Sequence, residues 1–151
     1  MLARIDEDLA LVDEMLALVP AGAENWRPPW EPAFSMAELA AHLAESFGGI
    51  CACLARLNPA AFTQQETAGL TLSQCRLVLA AYRAQVQKAN ISDADWMRVI
   101  PTYFAPEGEA LLAVLLVNLK HANHHAHQLF TYLKLLGVPV ETRHLYRFTG
   151  A

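Results

Sequence analysis

Six histidines occur in the chain, and four of them crowd one stretch, His121-Ala-Asn-His124-His125-Ala-His127-Gln128. Neutral imidazole is a common metal ligand, and two imidazoles one helical turn apart can face the same ion. Three spacings are available: His121 with His125 at i,i+4, and His121 with His124 or His124 with His127 at i,i+3. The apolar stripe of the surrounding segment, Leu111, Leu115, Asn118, Ala122, Leu129, Leu133 and Leu136, discriminates among them. At ~100° per residue His125 lies about 40° from Leu111 and His121 about 80° on the same side, so both stand on the shoulder of the buried face. His124 and His127 fall roughly 140° and 160° away, toward the outside.

A catalytic metal site needs a third ligand, and His42 is the candidate. It stands about 60° from Leu39, on the edge of the apolar stripe of its own helix. Three neutral imidazoles on two facing helices hold a divalent cation and leave a position for water or substrate. The plainer alternative, for each histidine taken singly, is a hydrogen-bonded core or surface residue. No HExxH pattern is present, so no general base is built in at the expected place. Glu45, Ser46, Asn118 and Gln128 are close enough in sequence to support the ligands, since a ligand histidine usually donates its other N–H to an acceptor; packing or solvation is the alternative for Glu45, Ser46 and Asn118. Cys51 and Cys53 point about 160° apart on a helix, so they cannot share a metal. With Cys75 they read as small buried hydrophobes. His144 has no evident partner.

These residues ride on four amphipathic segments. Leu2, Ile5, Leu9, Val12, Leu16 and Val19 recur by three and four, and Pro20 and Gly22 stop the helix. Asn25–Pro32 carries Trp26, Trp30 and three prolines and reads as a loop with aromatic anchors. Ser35-Met-Ala-Glu38 has the form of a capping box, opening a helix that ends near Asn58-Pro59. Gly48-Gly49 inside it predicts a close helix–helix approach, because each glycine costs about 1 kcal/mol relative to alanine. Thr71-Leu-Ser-Gln74 is a second capping box, followed by Leu72, Cys75, Leu79, Tyr82 and Val86 on one face. Asn90–Pro106 reads as polar or broken chain with Trp96, Tyr103 and Phe104 as anchors. Trp26, Trp30, Tyr103 and Phe104 pack under loops or, as the alternative, wall a pocket. The last helix is expected from Pro106 or Glu107 to Leu136, closed by Gly137 and Pro139. No strand pattern is visible. The expectation is an all-α four-helix bundle in one domain, with connections long enough not to enforce simple up-down order.

Composition narrows the function. The chain has 151 residues, 54% hydrophobic and 17% charged, which excludes intrinsic disorder and suggests an apolar self-association face. A net charge of −4 with no Lys/Arg-rich stretch leaves no footprint for nucleic acid. Asp6, Glu7 and Asp8 interrupt any signal-peptide pattern, and no apolar run reaches the roughly 18 residues of a membrane span. The expectation is a soluble, cytoplasmic, reduced protein.

The whole chain resembles the DinB-like family of four-helix metalloenzymes. The pattern is a histidine early in the second helix, then His-x-x-His-His-x-x-Gln leading to Leu-x-x-Tyr-Leu and a terminal glycine. Here these are His42 in Glu38-Leu-Ala-Ala-His42-Leu-Ala-Glu45, and His121 through Gln128, Tyr132 and Gly137. The Ser35 capping box and the aromatic loop match as well. Ala126-His127 stands where the family usually has Arg-Gly. The resemblance implies a metal held by His42, His121 and His125, an up-down-down-up bundle, and a homodimer. It also implies a thiol-dependent S-transferase, with a low-molecular-weight thiol as cosubstrate to a small-molecule electrophile. The expected metal is zinc or nickel, with iron or manganese as the alternatives. The alternatives are a metal-dependent hydrolase and a non-enzymatic, stress-associated dimeric binding protein.

Overall fold

A computed structural model describes residues 1–55, 67–102 and 105–147. Four long helices dominate it: α1 (Leu2–Ala17), α2 (Met36–Leu54), α3 (Leu72–Lys88) and, after a short α4 (Asp93–Trp96) and two strands, α5 (Leu111–Leu135). The long helices neighbour one another in a ring, α1 on α3, α3 on α2, α2 on α5 and α5 on α1. Their stripes meet in one core that includes Ile5, Leu9, Met36, Leu43, Phe47, Leu79, Leu115 and Leu129.

Helix starts follow local chemistry. Ser35 Oγ accepts the Glu38 N–H at 3.2 Å while the Glu38 carboxylate accepts the Ser35 N–H at 2.8 Å. Thr71 and Gln74 close the same reciprocal pair at 3.3 and 2.9 Å. Each box satisfies two backbone donors that a helix start leaves orphaned. Two further donors at the start of α2 are taken by the preceding loop, since Met36 N–H donates to Trp26 O and Ala37 N–H to Glu24 O. That loop is thereby clamped over the end of α2 that carries His42.

The close approach expected at Gly48-Gly49 is with α3. A Cβ on Gly48 would lie 2.8 Å from the Tyr82 hydroxyl, so the glycine makes room for that ring. Cys51, Cys53 and Cys75 are buried, and burial pushes their thiols up to about 12, 11 and 11. They are protonated, packed side chains at neutral pH.

The segment before α5 corrects the sequence reading. Instead of broken chain there is α4, opened by a Ser92–Asp95 capping box, and then an antiparallel pair, β1 (Val99–Thr102) with β2 (Ala105–Ala110). Pro106 therefore lies in a strand rather than at a first helical position, and α5 begins at Leu111. A two-stranded ribbon has free edges that tolerate proline, which is why its sequence shows no clean alternation. Gly108, at φ +93°, sits where a Cβ would meet Val99 Cγ1 at 2.5 Å. The Leu111 N–H donates to Arg98 O at 2.8 Å and ties the ribbon to the helix start. Tyr103, Phe104 and the expected end of α2 at Asn58-Pro59 lie outside the described residues. No described helix is long and apolar enough to cross a membrane.

Candidate metal centre

His42 sits in the second turn of α2, and His121 and His125 sit one turn apart on α5, at the seam where those helices pack. Helical phase fixes the α5 pair, and the capping box fixes where the phase of α2 begins. His42 Nε2 lies 3.1 Å from His121 Nε2 and 3.1 Å from His125 Nε2. A tetrahedral ion with bonds of ~2.0–2.1 Å to nitrogen would separate its ligand atoms by roughly 3.3 Å. Converging imidazole nitrogens at nearly that spacing, drawn from two helices, are the donor set of a borderline divalent cation. The three form a group able to hold a metal ion, with His42 and His125 half-buried and His121 exposed.

Electrostatics point the same way. Burial holds His121 and His125 below the ordinary imidazole value, and neighbouring His42 lowers both further. Neutral rings at neutral pH keep the lone pairs that a metal requires.

The far side of each ring is treated differently. His42 Nδ1 is 3.2 Å from a Glu45 carboxylate oxygen, which can only accept, so Nδ1 donates. His125 Nδ1 is 3.0 Å from Gln128 Oε1. Among the described residues His121 Nδ1 has no hydrogen-bond partner. Of the other candidates, Ser46 Oγ donates to the His42 carbonyl at 2.8 Å and not to the ring. Asn118, half-buried on α5, hydrogen-bonds to none of the three rings. His124 is exposed. His127 is exposed too and works elsewhere: its Nδ1 donates to Asn123 O, and its Nε2 lies 2.7 Å from the Tyr146 hydroxyl. His144 finds a partner after all, in Glu141.

Two residues given no role by sequence reasoning complete the surroundings. Phe34 stacks on His42 with centroids 5.2 Å apart and meets His125 edge-on at 5.9 Å. Tyr132 is fully buried under Trp26 and Trp30, at 5.4 and 6.4 Å. Its position, four residues beyond Gln128 and seven beyond His125, places all three on one helix face and was a readable signal. Phe34 lies in a loop, where no periodicity marks it. A cleft of ≈ 800 Å³ opens beside the cluster, lined by Phe34, Glu38, His42, Glu45, Thr67 and Thr71 among others.

A search of curated proteins gives no match. Among solved structures, a DinB-like protein of Bacillus subtilis, YjoA, superposes with a TM-score of 0.70 at 17% identity, over 90% of this chain and 91% of that one. At that identity the likeness speaks for the fold. The family model of the DinB superfamily matches residues 4–129, most of the length, and the chain belongs to that superfamily.

Proposed function

We propose that this protein is a metal-dependent enzyme whose divalent cation is held by His42, His121 and His125, and that its reaction is thiol-dependent S-transfer to a small electrophile. The observation that carries the metal reading is the convergence of three Nε2 atoms, with no fourth protein donor in the group among the described residues. Three protein ligands and an open position are the mark of a catalytic rather than a structural site. A bound divalent cation supplies a Lewis acid that acidifies a thiol or water at neutral pH. The chain's own part is to keep the His121 and His125 rings neutral, orient His42 and His125 from behind, and cover one side with Phe34. The adjoining cleft offers room for the organic part of a substrate. We read the scaffold as a single up-down-down-up bundle acting as a homodimer, for which exposed Met97, Val99, Leu116 and Val117 supply apolar surface. A cytoplasmic setting suits its three unpaired buried thiols. Imidazole donors suit zinc or nickel, and also iron.

The test is in two stages. Metal per chain, by elemental mass spectrometry on tag-free protein, is expected to be near stoichiometric. Loaded protein is then incubated with bacillithiol, mycothiol or glutathione and a panel of electrophiles. A conjugate that requires both metal and thiol supports S-transfer. Turnover of esters or amides without thiol would favour a hydrolase, and neither activity would favour a binding protein.

A further inference from the structure

We propose that Tyr132 is a positioning residue: acting through Gln128, its hydroxyl sets which ring nitrogen of His125 carries the proton, and the Phe34 carbonyl sets the direction of that relay. The inference rests on the metal reading for its purpose, though the relay itself can be tested without metal. A carbonyl oxygen only accepts, so the Tyr132 hydroxyl, 3.2 Å from Phe34 O, donates to it. The tyrosine oxygen then accepts from Gln128 Nε2 at 2.9 Å. With its NH2 directed at Tyr132, the Gln128 amide must turn Oε1 toward His125 Nδ1, 3.0 Å away. An amide oxygen also only accepts. Nδ1 therefore holds the proton, and Nε2 is left with a lone pair facing His42 and His121.

Every link needs the one before it. Tyr132 is 0% exposed, so water does not compete for its hydroxyl. Trp26 and Trp30 meet its ring edge-on and hold it in place. Phe34 enters twice, as the carbonyl that orders the relay and as the ring stacked on His42. The polarity of a histidine in the cluster is thus tied to the seating of the aromatic loop. His42 reaches the same polarity directly, through the carboxylate of Glu45.

Tyr132→Phe keeps the ring and removes the hydroxyl. The Gln128 amide is then free to turn over, present its NH2 to His125 Nδ1 and favour the tautomer with hydrogen on Nε2. The expected result is zinc affinity weaker by roughly 10–100-fold, measured by chelator competition, with an unchanged helical spectrum. Adding Gln128→Glu to Tyr132→Phe should recover most of that loss, because a carboxylate accepts from Nδ1 in either orientation. A Tyr132→Phe protein within twofold of wild type, or a double variant no better than Tyr132→Phe, would overturn the proposal. If wild type takes no zinc, the metal reading fails alone, and the relay is read from imidazole ¹⁵N shifts of the metal-free protein. There, hydrogen on His125 Nδ1 in wild type and a tautomer mixture in Tyr132→Phe supports the relay; identical populations overturn it.

Discussion

Two helix seams of this protein handle polar groups in opposite ways. Between α1 and α3, Arg76 holds Asp13 through two hydrogen bonds at 2.7 and 3.2 Å, and Arg83 holds Asp6 at 2.9 and 3.3 Å, with Gln87 adding a third donor to Asp6. The pairing of Asp6 with Arg83 and of Asp13 with Arg76 also fixes the two helices as antiparallel. Each of these charges meets its complement. Between α2 and α5, three imidazoles bring their Nε2 atoms together, and none can satisfy another without a proton or an ion between them. Satisfied charges describe a seam built to hold helices together. Converging lone pairs describe one built to hold something else. Of two polar seams, function is to be sought at the one whose converging nitrogens lack complements among the described residues.

The sharpest way to break the comparison is to remove the imidazoles one at a time. His42→Ala, His121→Ala and His125→Ala are each expected to lower bound metal from near stoichiometric to little or none, while His124→Ala retains it. Elemental analysis beside far-UV circular dichroism checks both metal and fold. Metal retained in all four variants would remove the distinction between the seams.

Acid should remove the two seams' contributions to stability in separate windows. In the metal-free protein His121 and His125 have folded values lowered from 6.5, so the unfolded chain binds protons first as pH falls. Their contribution is complete above pH 6.5 and is lost as pH falls below it through the folded values. Asp6 is held below 3.8, chiefly by its hydrogen bond from Arg83, so its contribution is complete above 3.8 and lost only below that. Tm followed against pH should show an early decline that is absent in a His121→Gln/His125→Gln protein, and a later one that is not. Zinc should delay the early decline, since it competes with protons for the same nitrogens.

The smallest effect belongs to the seam with the more complete set of hydrogen bonds. Arg76 and Asp13 side chains are 42% and 35% exposed, so solvent and salt screen them. Asp13→Asn is expected to cost about 0–1 kcal/mol in urea unfolding, less at 1 M salt, with no change in bound metal. A loss of metal in that variant would mean the seams are coupled.

Much of this architecture is legible in residue types and their spacing. Helix phase on a single segment separates His121 and His125 from His124 and His127, and in the fold only the first two converge on His42. Ser35-Met-Ala-Glu38 and Thr71-Leu-Ser-Gln74 form the capping boxes their spacing suggests. Gly48 leaves the room expected of it, although nothing in the sequence names Tyr82 as the occupant. The ribbon at Val99–Ala110 is not legible, because two prolines and a glycine mask its pairing and it is tied down by contact with α5. Nor is Phe34, whose place over His42 depends on how the loop lies back across α2.

Local chemistry, within about four residues along the chain, settles where helices start, which face each buries, and which side chains stand at the shoulder of that face. Those interactions are short in sequence and almost independent of the rest of the molecule. The meeting of His42 with two residues roughly 80 positions away, the direction of the Tyr132 relay and the ribbon before α5 are of another kind. They depend on which helices pack together and at what depth, a balance of buried area and close packing summed over the whole core.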